Sequence, residues 1–107
     1  MSGFSKREEG FENKLAFDAE KRFRAEARRN KLLAQWVGTR SNMTSDEVAK
    51  YTTELIQHDL KRPGDDDVLQ KLLSDLKSRG VTVTAAEVRA EMARCSEAAN
   101  EQTAKEG

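Results

Sequence analysis

Hydrophobic residues recur at helical spacing in three stretches of the second half of the chain. The period of about 3.6 residues places them on one face of each predicted helix. The three faces consist of Val48, Tyr51, Leu55 and Ile56; of Val68, Leu69, Leu72, Leu73 and Leu76; and of Ala85, Val88, Met92, Cys95 and Ala99. Three helices of about four turns with short connections favour an antiparallel bundle.

Local capping patterns predict where two of these helices begin. Thr44 and Glu47 stand three residues apart, so that the hydroxyl can cap the Glu47 amide while the carboxylate returns to the Thr44 amide. Thr84 and Glu87 repeat the pattern. We therefore expect helices to begin near residues 45 and 85.

The middle helix is delimited by turn residues. Pro63 and Gly64 break the chain, and Asp65–Asp67 follow as N-cap and first-turn acids. Gly80 can adopt the left-handed conformation that ends a helix, with Val81 touching Leu76 in a Schellman motif.

The first forty residues carry a long helical pattern without caps that ends near Gly38, and its apolar face changes partway. At 100° per residue, the first three large apolar residues lie within about 40° of each other, and the later ones lie roughly 90° around the axis. The first face holds Phe4, Phe11 and Leu15, and the second holds Ala16, Ala19, Phe23, Ala27, Ala34 and Val37.

One straight helix cannot bury both faces against the same bundle. We therefore predict an all-α fold, a small antiparallel four-helix bundle with a flexible N-terminal arm. Residues 18–99 form the four-helix domain and residues 100–107 a flexible polar tail. Residues 1–17 form an amphipathic arm that is disordered or marginal when free, since Gly10 disfavours helix by about 1 kcal/mol.

Charge adds a second division of the chain. The 107 residues contain 19 basic and 19 acidic side chains, which argues against nucleic-acid binding because that function needs a basic excess. Residues 19–31, however, hold six basic and two acidic residues, whereas residues 32–107 hold ten basic and thirteen acidic ones. We call residues 19–31 the basic collar.

Candidate chemistry is sparse. No nucleophile elbow, phosphate loop or metalloprotease motif occurs, so we expect neither an enzyme nor a metal site. His58 could sense pH, but an exposed or capping role is favoured, and Asp65–Asp67 suit capping better than Mg²⁺. Cys95 is expected in the core. Trp36 and Leu32 are either core contacts or an exposed anchor for a partner.

The arm and collar allow two interpretations. They could be a solvated helix with an ordinary charged surface, or an amphipathic segment that folds on a partner and pairs its basic groups with acidic ones there. With no apolar stretch for a leader or a membrane span, we expect a cytoplasmic chain without direct membrane insertion.

A resemblance bears on this choice. The order of the residues from Phe4 to Trp36 resembles the alphaproteobacterial zeta subunit, the inhibitor subunit of the F-type ATP synthase. The resemblance is carried by Phe11-Glu12-Asn13-Lys14, by Ala16, Asp18-Ala19-Glu20 and Phe23, by Ala25-Glu26-Ala27-Arg28-Arg29-Asn30-Lys31-Leu32-Leu33, and by Trp36. Two departures from the family pattern are Gly10, where Ala is common, and Val37-Gly38, where small residues are usual.

The resemblance implies a chain, monomeric when free, whose N-terminal region becomes helical at an α/β catalytic interface of the rotary head. There it would block ATP hydrolysis by wedging the α, β and central rotor subunits. The insertion residues would be Phe4, Lys6, Arg7, Phe11, Lys14 and Leu15, with supporting contacts from Phe23, Arg28, Arg29 and Trp36.

Two other functions stay open at this point. Arg28, Arg29 and Lys31 could bind the phosphates of an adenine nucleotide weakly, although nothing in the sequence marks an adenine pocket. The chain could instead be a plain helical interaction module.

Overall fold

The described part of the chain consists of four helices connected by short turns. The computed structural model describes the backbone of residues 2–106 and the side chains of residues 19–106. Within that part there are no strands, and no helix is both long and apolar enough to span a membrane. The helices are α1 (Ser2–Ser41), α2 (Ser45–Lys61), α3 (Asp65–Ser78) and α4 (Ala85–Lys105). The all-α, four-helix prediction is confirmed.

Successive helices run antiparallel, as contacts between their ends show. Gly38 near the end of α1 lies against Val48 near the start of α2. The hydroxyl of Tyr51, early in α2, donates a hydrogen bond to Asp75 near the end of α3 at 2.6 Å. α1 packs mainly against α2 and α4, so that it is the helix shared by both halves of the bundle.

The core is the one predicted from the apolar faces of α2, α3 and α4, with Leu33 added from α1. Three predicted residues are exceptions: Ala85 is exposed at the first position of α4, and Val48 and Ile56 on α2 are only half-buried and lie outside the core cluster. The buried cluster comprises Leu33, Ala34, Val37, Tyr51, Leu55, Val68, Leu69, Leu72, Leu76, Val88, Met92 and Cys95. Burial raises the pKa of the Cys95 thiol to about 11, as is typical of a structural cysteine.

The predicted apolar face of α1 was wrong in its N-terminal half. Ala34 and Val37 are fully buried, but Ala19 is exposed and Phe23 is 51% exposed. The buried face at this level instead includes Ala25 and Arg29. The bundle side of α1 therefore carries a buried charged residue at this level, which a pattern of apolar residues alone does not predict.

The caps of α2 and α4 confirm both predicted starts. Around α2, Glu47 N–H donates to Thr44 Oγ1 at 3.2 Å, and Thr44 N–H donates to the Glu47 carboxylate at 3.0 Å. At α4 only the bond from the Glu87 amide to the threonine hydroxyl forms: Glu87 N–H donates to Thr84 Oγ1 at 3.1 Å. The Glu87 carboxylate accepts from the Thr84 hydroxyl instead of from the Thr84 amide.

The third helix also begins as predicted, but the expected Asp N-cap is wrong. The N-cap is Gly64, which offers no side chain, and Asp65–Asp67 all lie in the first turn. The end of α3 is the predicted Schellman motif. Gly80 has φ 76°, Val81 N–H donates to the Leu76 carbonyl at 2.9 Å, and Gly80 N–H donates to the Lys77 carbonyl at 3.0 Å.

The first helix does not end at Gly38, contrary to the sequence prediction. It continues to Ser41, and Asn42 takes the left-handed conformation with φ 56°. Gly38 serves close packing instead, because a Cβ atom at this position would lie 2.5 Å from Val48 Cγ2. The glycine therefore permits the close approach of α1 and α2.

The last helix extends further than predicted. Residues 100–105, assigned from sequence to a flexible tail, continue α4 to Lys105, and Thr103 is only 4% exposed. The predicted arm, residues 1–17, lies outside the residues whose side chains are described. Its separation from the bundle stays a prediction.

Candidate partner-binding site

The candidate site is the part of α1 that the sequence assigns to partner contact, together with the side chains around it. The six predicted insertion residues, Phe4, Lys6, Arg7, Phe11, Lys14 and Leu15, lie outside the described side chains. The four supporting residues, Phe23, Arg28, Arg29 and Trp36, are described and fall into three different environments.

Phe23 lines an exposed apolar groove between α1 and the end of α2. Leu60 on α2 faces the same groove and is 58% exposed. The groove has a volume of about 110 Å³, and we call it the α1–α2 groove. It is lined by Phe23, Glu26, Ala27, Asn30, Ile56, Asp59, Leu60 and Pro63. Phe23 is thus available to a partner, as the sequence prediction requires.

Leu60 was missed by sequence reasoning, although its position on the helix contains a signal. At 100° per residue it lies about 140° around α2 from Leu55, well away from the face that enters the core. A large apolar side chain on the solvent side of an amphipathic helix marks a surface that can bind a partner.

Arg28 joins α1 to the last turn of α4. Its guanidinium group donates to Thr103 Oγ1 at 3.0 Å and forms an ion pair with Glu106. Arg24, one turn earlier, lies 3.7 Å from the other carboxylate oxygen of Glu106. These contacts hold the middle of α1 against the end of α4, so Arg28 has an internal role.

Arg29 is buried among three helices. Its guanidinium lies 2.6 Å from Asp65 of α3 and 3.4 Å from Asp59 of α2, and it also donates to the side chain of Asn30. Asn30 in turn donates to Asp59 at 3.2 Å. With 6% of its surface exposed, Arg29 is placed to stabilise the bundle rather than to reach a partner.

The basic collar is therefore partly committed to internal ion pairs. Arg24, Arg28 and Arg29 all bind carboxylates of the bundle, which also argues against Arg28 and Arg29 as a phosphate site. Arg22 and Lys31 are exposed and form no ion pair with other residues of the described region. These two cations can meet acidic groups of a partner.

Trp36 and Leu32 belong to the edge of the core. Both are partly buried and pack against the core cluster, and the guanidinium carbon of Arg40 lies 5.5 Å from the centre of the Trp36 ring. Of the two roles left open by the sequence, the structure supports the core contact. The Arg40 stacking covers a further part of the indole.

A polar network on α2 and α3 lies apart from this site. Lys71 bridges Asp75 at 3.0 Å and Glu54 at 3.2 Å. Burial opposes the charged form of Lys71, but the bonds to Asp75 and Glu54 outweigh it and raise its pKa. The Tyr51 pKa is also raised, by burial and then by its bond to Asp75. His58 lies half-buried in the last turn of α2, and its Nε2 atom has no hydrogen-bond partner among the described residues.

Comparison with known proteins gives one match. The sequence pattern of the family described as ATPase inhibitor subunit zeta matches residues 1–102, which include both the predicted arm and nearly all of the bundle. No curated protein and no solved structure matches the chain.

Proposed function

The chain belongs to the ATPase inhibitor subunit zeta family, and on that premise we propose that it inhibits ATP hydrolysis by inserting residues 1–17 into the F-type ATP synthase. The insertion site is an α/β catalytic interface of the rotary head. The observation that carries the proposal is the extent of the family match, which begins at residue 1 and so includes the arm.

The composition of residues 1–17 suits insertion between two protein subunits. Phe4, Phe11 and Leu15 share one helical face and offer apolar surface to a groove. Lys6, Arg7 and Lys14 supply cations for acidic groups at its rim. Such a segment gains most of its stability from the partner, since it has too few large apolar residues to order itself alone.

The bundle supports this action by fixing α1 where it leaves the fold. Arg28 ties the helix to α4 and Arg29 ties it to α2 and α3, on neighbouring positions of the same turn. Holding one end of a binding segment lowers the entropy that the segment loses when it binds. The two arginines therefore act through the position of α1.

Inhibition of this kind requires no chemistry by the inhibitor. A wedge that binds one conformation of the α, β and central rotor subunits more tightly than the others shifts the population towards that conformation. Rotation in the direction of hydrolysis then stalls, with less effect on synthesis. The protein acts on the cytoplasmic head of the membrane-bound synthase.

Removal of the arm tests the proposal. A chain without residues 1–17 should lose inhibition of ATP hydrolysis by the synthase of the same organism, whereas the intact chain inhibits. Phe11→Ser should raise the half-inhibitory concentration about tenfold, because it removes one buried aromatic contact. Asn13→Ser, in the same segment, is the matched control and should leave it unchanged. Equal inhibition by the intact and shortened chains would refute the insertion mechanism.

A further inference from the structure

We propose that the α1–α2 groove is a second contact surface for the ATP synthase head. It receives an apolar segment of an α or β subunit that carries a basic side chain. This inference rests on the proposed function but concerns a different part of the molecule, since none of the groove residues belongs to the arm.

The exposed apolar side chains of the groove do not belong to the core cluster of the bundle. Phe23 and Leu60, at 51% and 58% exposure, are the large hydrophobic side chains left open in the described part of the chain, and they face the same groove. Half-buried Ile56 and exposed Pro63 also line it. A partner that covers Phe23 and Leu60 removes their apolar surface from water, and this burial stabilises the complex.

The groove lies where a partner of the arm would continue along α1. Residues four apart on a helix form one ridge. In the sequence this spacing runs from Phe11 and Leu15 through Ala19 to Phe23 and Ala27. The ridge turns by about 40° around the axis at each step, which is why the two apolar faces of the sequence pattern lie roughly 90° apart. A head subunit that follows this turning ridge from the proposed insertion surface reaches the groove.

The acidic residues of the groove indicate that the partner segment carries a basic side chain. Glu26 and Asp59 line it, and the Asp59 carboxylate already binds Arg29 and Asn30. Glu26 is exposed and has no ion pair with any residue in the described part of the chain. A basic side chain beside the apolar contact would complement Glu26, and this gives binding a dependence on salt.

Three full-length variants test the groove. Phe23→Ser and Leu60→Ser should each raise the half-inhibitory concentration for ATP hydrolysis about tenfold, since each deletes one apolar contact that the bound partner would bury. Glu26→Gln should raise it about threefold at low salt and have little effect at high salt. Gln70→Ser, exposed on α3, is the matched control and should behave as the unchanged chain. Circular dichroism of each variant verifies the fold.

A photoreactive benzoylphenylalanine in place of Leu60 provides a direct measurement of the contact. It should form an adduct with an α or β subunit, whereas the same group in place of the exposed Ala90 on α4 should not. Failure of the groove variants to shift inhibition, without an adduct at position 60, overturns this inference.

The results also separate this inference from the proposed function. If arm deletion abolishes inhibition while the groove variants inhibit normally, insertion stands and the groove contact is refuted. If groove variants weaken inhibition that arm deletion leaves intact, insertion is refuted and the groove contact stands. A dimer in sedimentation that Leu60→Ser dissociates would assign the groove to a second copy of the chain and refute the inference.

Discussion

Arg29 links three helices through a single guanidinium group. Asp59 is 12% exposed at its side chain, and Asp65 is 80% exposed, so that the arginine shares its charge between a largely buried and a solvated carboxylate. Burial of an arginine is tolerated only when carboxylates and hydrogen-bond acceptors satisfy its donors. Asp59 and Asn30 depend on the same contacts for their own partners.

Replacing Arg29 by Met should therefore lower the free energy of unfolding by about 3 kcal/mol, because Asp59 would be left buried without its cation. Urea denaturation monitored by circular dichroism measures the change. Arg22→Met, in an exposed collar position that forms no ion pair within the described region, should stay within about 0.5 kcal/mol of the unchanged chain. Similar effects of the two substitutions would contradict the internal role of Arg29.

The pKa of Glu47 is set mainly by its contacts with Thr44 at the start of α2. The bond from the Thr44 amide lowers its pKa below the ordinary value of 4.5, with further contributions from the Thr44 hydroxyl and from Arg79. A lowered pKa in the folded state means that the carboxylate stabilises the fold above about pH 4.5. This contribution is lost as the pH falls through the lowered pKa.

Thr44→Ala should move the Glu47 pKa upwards, towards its ordinary value, because the hydroxyl is lost and the first turn of α2 is less well capped. An NMR titration of the Glu47 side-chain carboxyl carbon measures this directly. Thr84→Ala removes the equivalent hydroxyl at α4 and is the control, since it should leave the Glu47 titration unaltered.

The helix ends illustrate which elements the sequence can predict. The starts of α2 and α4 and the end of α3 depend on residues within five positions of each other, so local patterns identify them. The end of α1 and the length of α4 depend on contacts between distant helices. The local sequence predicted that α1 ends near Gly38. The structure shows instead that the glycine is required by its close contact with Val48 on α2.

The candidate site divides in the same way. The family resemblance implied a supporting partner contact for Phe23, whereas the apolar periodicity alone placed it on the face towards the bundle. The structure leaves Phe23 exposed, contrary to the periodicity. The carboxylates that bind Arg29 stand 30 and 36 positions away, so that no local pattern distinguishes this arginine from its neighbours in the collar. Burial of a charge becomes predictable only once the helix packing is known.

Gly38→Ala provides a test of the close helix contact. In an exposed helix this substitution would stabilise by about 1 kcal/mol. Here we expect a loss of about 1 to 2 kcal/mol in the free energy of unfolding, because the new methyl group meets the stiff side chain of Val48. Val48→Ala should relieve the clash, so the double variant should be more stable than additivity predicts. An additive double-mutant cycle in urea would contradict the contact.

In the whole molecule, α1 acts as the common support and the last turn of α4 closes the fold onto it. The α1 side chains Arg24 and Arg28 meet Glu106 and Thr103, more than seventy positions away in the sequence. Thr103 is buried although it directly follows three polar residues, Asn100, Glu101 and Gln102. The long-range contact explains why a polar segment is ordered there.

A chain ending at Ala99 distinguishes this view from the sequence-based expectation of a dispensable tail. The tail interpretation predicts unchanged stability. The structure predicts that the free energy of unfolding falls by about 2 kcal/mol, because Arg28 loses two partners and the buried surface of Thr103 disappears.

Thr103→Ala should reproduce about half of the loss, and Gln102→Ala, its exposed neighbour, should have no effect. Urea unfolding of the shortened chain and of the two point variants, at low and at high salt, measures the two contributions separately. The contribution of the ion pair with Glu106 weakens with salt, whereas that of Thr103 burial does not. Unaltered stability of the shortened chain would mean that α1 is held by its apolar face and Arg29 alone.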